Sequence, residues 1–404
     1  MLHSQVEEYR DTVEFLCGRT TGRIKWSLGP TRELLEVLGQ PHTHFPSIHI
    51  GGSNGKGSVA AMVSSALRCA GYCVAIYSSP HLVDVRERSI VDGRPIPIEA
   101  LIGWTNELRD AIVATGASFF EAITAIAFAD FAARGADIAV VEVGLGGRLD
   151  STNVIDPLVS AVTNIAVEHT DYLGDSATDI VKEKAGIAKP DKPFVVGEMD
   201  LGLAALLRSE AERLGAVVRE VPRTERYGGK LELIGAHQAR NAAVAKMVLS
   251  ELPPGWRPGR RAVVQGLAKA WLPGRYDRRG KWLFDVAHNP SGMSALVAQL
   301  ECDELPRPLG TLFGVLADKD WETMLDLLLP HVDDIYVTTP PSAPCQRRVE
   351  LAAVKQRFPN VEVREDFDSA LTAAQADAGT VLVTGSLHTV GDALARLPGF
   401  QPLG

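Results

Sequence analysis

What this chain lacks narrows its biology before any motif is read. It has no CxxC pair, and its five cysteines (Cys17, Cys69, Cys73, Cys302 and Cys345) are scattered over 404 residues. That spacing offers neither a disulfide framework nor a thiolate metal site, so reduced thiols in a cytoplasmic protein are expected. Cys69 and Cys73 stand close in sequence, but Gly71 is expected to end a helix between them. No apolar run reaches about 18 residues, so no membrane span is expected. Met1 to Arg10 is polar and lacks the apolar centre of a signal peptide. There is no internal repeat and no low-complexity tract. Basic residues are outnumbered, with a formal net charge of −9 and a sequence pI of about 5.6. A broad nucleic-acid surface is therefore not expected, although a local cationic pocket is compatible with that balance.

What is present reads as an ordinary globular protein. Hydrophobic residues make up 46% and charged residues 23%, and the length suffices for two domains with ample cores. Apolar strand candidates alternate with helical runs from about residue 45 to residue 200. The strands are Tyr72–Tyr77, Ile138–Val143, Leu158–Ile165 and Phe194–Val196, and the helical runs include Phe119–Arg134 and Thr178–Ala188. Near-continuous apolar strands between helices predict a parallel sheet covered on both faces. A second alternation starts near residue 281, with strands at Trp282–Val286, Gly310–Gly314, Asp334–Thr338, Val361–Val363 and Thr380–Thr384. Between the two lies a Pro-, Gly- and Arg-rich stretch, Pro253 to Gly280, with a short helical candidate at Arg261–Ala270. The expected architecture is α/β throughout: a parallel-sheet domain over residues 1–272, then a smaller Rossmann-like α/β domain over 273–404, with a cleft between them.

The most informative stretch is His49-Ile50-Gly51-Gly52-Ser53-Asn54-Gly55-Lys56-Gly57-Ser58. It follows an apolar segment from Phe45 to Ile50 and leads into a helical run from Val59 to Ala70. A strand–glycine-loop–helix turn aims backbone N–H groups and a helix N-terminus at a phosphate. Lys56 supplies a charge that reaches the outer phosphates of a nucleotide, and Gly55 and Gly57 permit close backbone approach. The strict G-x-x-x-x-G-K-[ST] pattern is not met: position 50 is Ile, and the hydroxyl comes one residue late, at Ser58. The loop reads as a variant P-loop that binds ATP or GTP.

Polar residues recur at the predicted strand ends, where ligands sit in open α/β sheets. Ser78-Ser79-Pro80-His81 follows one strand, Glu142 sits in Val140 to Arg148, and Glu168-His169-Thr170-Asp171 follows another. If those strands are adjacent and parallel, a hydroxyl, a carboxylate and an imidazole meet near the phosphates and could hold Mg²⁺, which keeps few protein ligands. Each also has a bland reading. Ser79 before Pro80 shapes a turn, Glu142 pairs with Arg148 or another base, and His169 hydrogen-bonds a loop. Lys184 lies among charged residues near a helix end, and spacing alone leaves it on a solvated face. In the second half, Asp285-Val286-Ala287-His288-Asn289-Pro290 ends a strand and opens a helix. There Asn289 is expected to cap and Pro290 to take the first helical position. Asp285 and His288 are nucleotide or substrate candidates, and Asn241, in the helix opened by His237-Gln238, could face a base or ribose.

Together these segments resemble the folylpolyglutamate synthase/dihydrofolate synthase family of the Mur ligase superfamily. The carrying residues run in order: Gly52 to Ser58; Ser78 to Leu82; Phe120-Glu121-Ala122 with Thr124; Glu142 to Asp150 with Thr152-Asn153; His169 to Gly174; Glu183 to Ile187; His237-Gln238 with Asn241 to Ala243; Pro273-Gly274-Arg275; and Asp285 to Pro290. The resemblance implies an ATP-dependent amide ligase. ATP phosphorylates an acceptor carboxylate, and the amine of L-glutamate then attacks the acyl phosphate. The acceptor would be dihydropteroate, a folate, or both.

By the same resemblance, Asn54, Gly55, Lys56, Gly57 and Ser58 cradle the nucleotide, with Asn241, Arg275, Asp285 and His288 reaching it from the second half. Ser79, Glu142, His169 and Lys184 hold one or two Mg²⁺ ions, with Lys184 carried as a carbamate. Lys56, His169 and Lys184 serve the chemistry, and Leu28, Gly29, His81 and Asp150 contact the acceptor. Closure of the second domain would shield the acyl phosphate from water. A monomeric, cytoplasmic enzyme that binds neither nucleic acid nor membrane is expected. Two positions depart from the family pattern: Glu168 stands where an Asp usually precedes the metal histidine, and Ser27-Leu28-Gly29-Pro30 replaces an early D-L-G-L. The competing readings are a Mur-type ligase with a non-folate carboxylate acceptor and, in another class, a P-loop switch or motor.

Overall fold

The computed structural model describes residues 2–19, 27–166 and 176–399. They form two compact units. The first spans Met1–His81, Val85–Glu232 and Ala239–Trp271, and the second spans Leu82–Asp84, Leu233–Gln238 and Leu272–Gly404. The units interleave, whereas the sequence reading divided the chain once, at 272–273. The short excursions have a packing reason: Leu82 lies against the second unit's own core of Trp282, Phe284 and Val390, and Ile234 packs on that unit's other core.

The first unit holds an eight-stranded sheet. Its strands are β1 (Ser47–Gly51), β2 (Val74–Tyr77), β3 (Ser89–Val91), β4 (Arg94–Pro95), β5 (Ile138–Glu142), β6 (Val159–Val162), β7 (Pro193–Val196) and β8 (Val217–Glu220). The order is β4-β3-β2-β5-β1-β6-β7-β8, and every neighbour from β2 to β8 runs parallel. β1, β5 and β6 are buried along their whole length, the pattern of strands covered on both faces. The carboxyl ends of β2, β5, β1 and β6 therefore lie side by side, which is the condition the strand-end polar residues require.

One edge departs from the parallel expectation. β3 pairs antiparallel to β2, and β4 antiparallel to β3. Asp92 and Gly93, at φ 50° and 79°, form the two-residue turn between them, the geometry that suits the twist of a hairpin. The second unit carries six strands: β9 (Asp277–Arg279), β10 (Trp282–Phe284), β11 (Leu309–Phe313), β12 (Asp334–Val337), β13 (Glu362–Val363) and β14 (Thr380–Thr384). Their order is β13-β12-β11-β14-β10-β9, parallel except for β9.

Helix ends follow local chemistry. The helix after β1 runs Lys56–Cys69, opening at the loop lysine itself and not at Val59, because Gly55 at φ 84° turns the chain directly into it. It stops before Gly71, as expected, and all five cysteines are free thiols. Helix Phe119–Ala133 opens with a capping box: Ser118 N–H donates to Glu121 Oε2 (2.6 Å) and Glu121 N–H to Ser118 Oγ (3.4 Å). Asn289 caps helix Pro290–Cys302 by accepting from Gly292 N–H at 2.7 Å, with Pro290 at its start. Among the described residues no helix is long and apolar enough to cross a membrane.

Candidate active site

The glycine loop leaves β1 at the middle of the parallel sheet and is braced by the segment that follows β6. Ser53 N–H donates to Asn164 O (3.0 Å) and Asn54 N–H to Asn164 Oδ1 (2.8 Å). Thr163 Oγ1 donates to Asn54 O (2.6 Å), and Ser53 Oγ accepts from Ala166 N–H (3.0 Å). Gly52 sits at φ 138°, and a Cβ there would fall 2.0 Å from Thr163 Oγ1. A Cβ at Gly55 would fall 2.5 Å from Asn241 Oδ1, so Asn241, distant in sequence, abuts the loop. Lys56 folds back over the loop, its Nζ donating to Gly52 O (2.9 Å) and Ser53 O (3.1 Å). The first helical bond is Val59 N–H to Gly55 O. The amides of Gly57 and Ser58 thus stand at the helix N-terminus, the end that attracts anions.

Ser79 and Glu142 meet beside this loop. Ser79, just past β2, donates its backbone N–H to Glu142 Oε2 at 3.2 Å, and Glu142, the last residue of β5, is 5% exposed. The register sets Glu142 level with Ile50 on β1, so the carboxylate lies at the loop's entrance. Arg148 does not pair with Glu142; it pairs with Glu183 at 2.7 Å. That pair, with Arg148 N–H to Glu183 O (2.8 Å) and Asn153 Nδ2 to Gly186 O (3.0 Å), fastens the loop after β5 to the end of helix Ala177–Ala185. Lys184, on that helix, is 3% exposed, which rules out a solvated face. Its Cα lies 3.3 Å from where a Cβ of Gly147 would stand. His169 lies outside the described residues. Among the described residues no three His, Cys, Asp or Glu side chains gather as a metal cluster.

The residues expected at the acceptor have distinct settings. Leu28 precedes helix Gly29–Val37, and Gly29 N–H donates to Ser27 Oγ at 3.1 Å. His81 accepts at Nδ1 from Arg88 Nε at 2.9 Å, which leaves the ring proton on Nε2. Asp150 is buried, and loss of water pushes its carboxyl up against the pull of its donors. Those donors are Leu145 N–H (2.9 Å), Thr152 N–H (3.0 Å) and Thr152 Oγ1. Both carboxylate oxygens therefore serve to shape the loop after β5. Thr152 Oγ1 in turn meets Nε2 of fully buried His49 at 2.8 Å, and burial drives the His49 imidazole down to about 3.

In the second unit, Asp285 follows β10 and accepts from Tyr276 N–H and Ala287 N–H, both at 2.9 Å. Burial raises its carboxyl, and the charge of Arg275 acts in the opposite direction. Arg275 donates to Gly274 O at 3.3 Å. His288 Nδ1 lies 3.0 Å from Val286 O, so Nδ1 carries the proton. Sequence reasoning did not single out Thr163 and Asn164, which brace the loop, nor Arg88, which bonds His81, nor His49, which bonds Thr152. Only the strand pairing brings these residues to the site.

Strand, glycine loop and helix at the carboxyl edge of a parallel sheet define a P-loop nucleotide-binding architecture. Two family models match the chain: the Mur ligase middle domain over residues 50–221, and the Mur ligase, glutamate ligase domain over residues 274–387. A Haloferax volcanii relative named "Probable bifunctional folylpolyglutamate synthase/dihydropteroate synthase" is 35% identical over 96% of this chain. The chain spans only about half the length of that relative, 50%. The Bacillus subtilis dihydrofolate synthase/folylpolyglutamate synthase is 30% identical, with 96% of this chain and 99% of that one covered. The solved structure of E. coli FolC in complex with DHPP and ADP superposes with a TM-score of 0.85 at 32% identity, covering 96% of this chain and 97% of that one. The chain belongs to the folylpolyglutamate synthase/dihydrofolate synthase family of Mur ligases.

Proposed function

We propose that the chain is an ATP-dependent ligase that joins L-glutamate to the carboxylate of dihydropteroate, of a reduced folate, or of both. The observation that carries this reading is the braced glycine loop with the Ser79–Glu142 pair at its mouth. The FolC relative solved with DHPP and ADP supports the choice of substrates. The acceptor carboxylate attacks the γ-phosphorus of ATP and ADP leaves. The glutamate amine then attacks the acyl carbon, phosphate leaves, and the amine gives up its proton. Asn54, Gly55, Gly57 and Ser58 line the phosphates, and Lys56 exchanges its two loop carbonyls for phosphate oxygens. Asn241, Arg275, Asp285 and His288 hold the rest of the nucleotide. Leu28, Gly29, His81 and Asp150 define the acceptor side, Asp150 by shaping the loop after β5. The first unit would serve as the ATP-binding domain and the second, with its short excursions at Leu82–Asp84 and Leu233–Gln238, as the glutamate ligase domain.

The described donors suit Mg²⁺: one hydroxyl and one carboxylate are few ligands, as that ion prefers. Ser79 and Glu142 would hold it with His169 and Lys184, and it would supply charge neutralisation at the transferred phosphoryl group. Lys184 is buried and would join the ion as a carbamate, whose negative charge the metal would offset. The enzyme works as a monomer, and its free thiols suit the cytoplasm. The test is product analysis by mass spectrometry with ATP, Mg²⁺, L-glutamate and each acceptor. Glutamate addition to dihydropteroate or tetrahydrofolate supports the reading. ATP binding without ligation of either moves it to a Mur-type ligase with a non-folate acceptor.

A further inference from the structure

Arg88 is a buried cation without a matching anion. It is 7% exposed, and among the described residues no carboxylate lies within ion-pair distance of its guanidinium. Burying an unpaired charge is costly, and removal from water does disfavour the charged guanidinium. Its known neighbours are neutral. Nε donates to His81 Nδ1 at 2.9 Å, the guanidinium stacks 5.0 Å over the Phe119 ring, and the Tyr77 hydroxyl lies beside it.

Thr124 Oγ1 spends its one proton on Phe120 O at 2.7 Å. Tyr77 must then donate to Thr124 Oγ1, at 2.8 Å, so the Tyr77 hydroxyl brings Arg88 no charge. An arginine has five N–H donors, and the His81 bond uses one. The chain places the group at the acceptor side of the site. Ser78 N–H donates to Arg88 O at 3.3 Å, so Arg88 lies across the strand pair from the residue beside Ser79. Glu142, the nearest carboxylate to act on it, does so only through space.

The geometry points to Arg88 as the residue that recognises the carboxylate of the acceptor, through the N–H groups that His81 leaves over. This rests on the ligase reading above and deepens it: the acceptor would be selected for an anionic end before phosphorylation. A planar fork suits a carboxylate better than any single-point cation, and the Phe119 and Tyr77 contacts fix that fork before the substrate arrives. Phosphorylation then removes the negative charge from the acyl oxygen that Arg88 held.

The test measures binding to the full-length protein by calorimetry, using dihydropteroate and the analogue whose carboxylate is replaced by carboxamide. The wild-type protein is expected to favour the carboxylate by on the order of a hundredfold. Arg88→Met should bind the two alike while binding MgATP as the wild type does. Arg88→Gln, which keeps a polar contact to His81, serves if Arg88→Met fails to fold, and should also lose the preference. A purely structural arginine would weaken both ligands equally, so an undiminished preference in either folded variant overturns the inference. Wild-type protein that prefers the carboxylate while the variants do not supports it. Wild-type protein that binds MgATP but neither pteroate ligand overturns the ligase reading, and this inference with it.

Discussion

Lys56 donates to two carbonyls of its own loop, bonds that phosphate oxygens replace without stranding a buried charge. Lys56→Ala should therefore leave the fold intact and cut ATP-dependent turnover by on the order of a thousandfold, read as ADP release alongside thermal unfolding. Near-wild-type turnover would remove the loop from the mechanism. Lys184 is the stricter case. It is buried, and the proposed carbamate would turn its charge into one that a metal ion offsets. Lys184→Ala should lose most activity, about a hundredfold, with partial recovery in added acetate or formate. A mutant indifferent to small carboxylates would count against the carbamate.

His49 gives a stability prediction of a different kind. Folded, its imidazole titrates near 3, against 6.5 for the free side chain. Between those values the unfolded chain binds a proton that the folded chain does not. Stability should thus be unaffected by His49 above about pH 6.5 and fall steadily as the pH drops toward 3. Unfolding followed across that range should show a shallower slope for His49→Gln, and an unchanged slope would show that the histidine does not contribute to it.

At the level of elements, the phosphate loop depends on a neighbour it does not touch in sequence. Gly52→Ala would set a Cβ 2.0 Å from Thr163 Oγ1 at a backbone angle that side chains avoid. Such strain costs about 1–3 kcal/mol, and here it would also break the brace. ATP affinity is expected to fall more than tenfold, measured by calorimetry against the wild type, and an unchanged affinity would mean the brace is not needed. The sequence announced this loop because glycine, lysine and an apolar strand stand together within a dozen residues. It could not announce Thr163 and Asn164, which are ordinary residues until β1 and β6 pair. The β3–β4 hairpin was missed for the opposite reason. Its signal is the Asp92-Gly93 turn, two residues long, and β4 itself is only Arg94–Pro95, too short to register as an apolar run.

At the level of the whole molecule, alternation of strand and helix was legible because parallel strands buried on both faces carry little but Val, Ile and Ala. The interleaving of the two units was not. Leu82 and Ile234 belong to the second unit through packing, and a leucine three residues after Ser79 looks no different from any loop leucine. The site itself was legible as a set of motifs, yet the reasons for some members changed. Asp150 spends its carboxylate on Leu145 and Thr152, and Arg148 answers Glu183 instead of Glu142. The proposed reaction would tie both units to one activity, because it needs phosphoryl transfer and amide formation in a single cycle. The most direct measurement is ADP release with ATP and Mg²⁺, with and without L-glutamate, across dihydropteroate, tetrahydrofolate and no acceptor, with the amide products followed by mass spectrometry. The predicted result is ADP release that depends on both glutamate and a pteroate acceptor, matched one for one by product. ADP release independent of glutamate, with no amide formed, would contradict it.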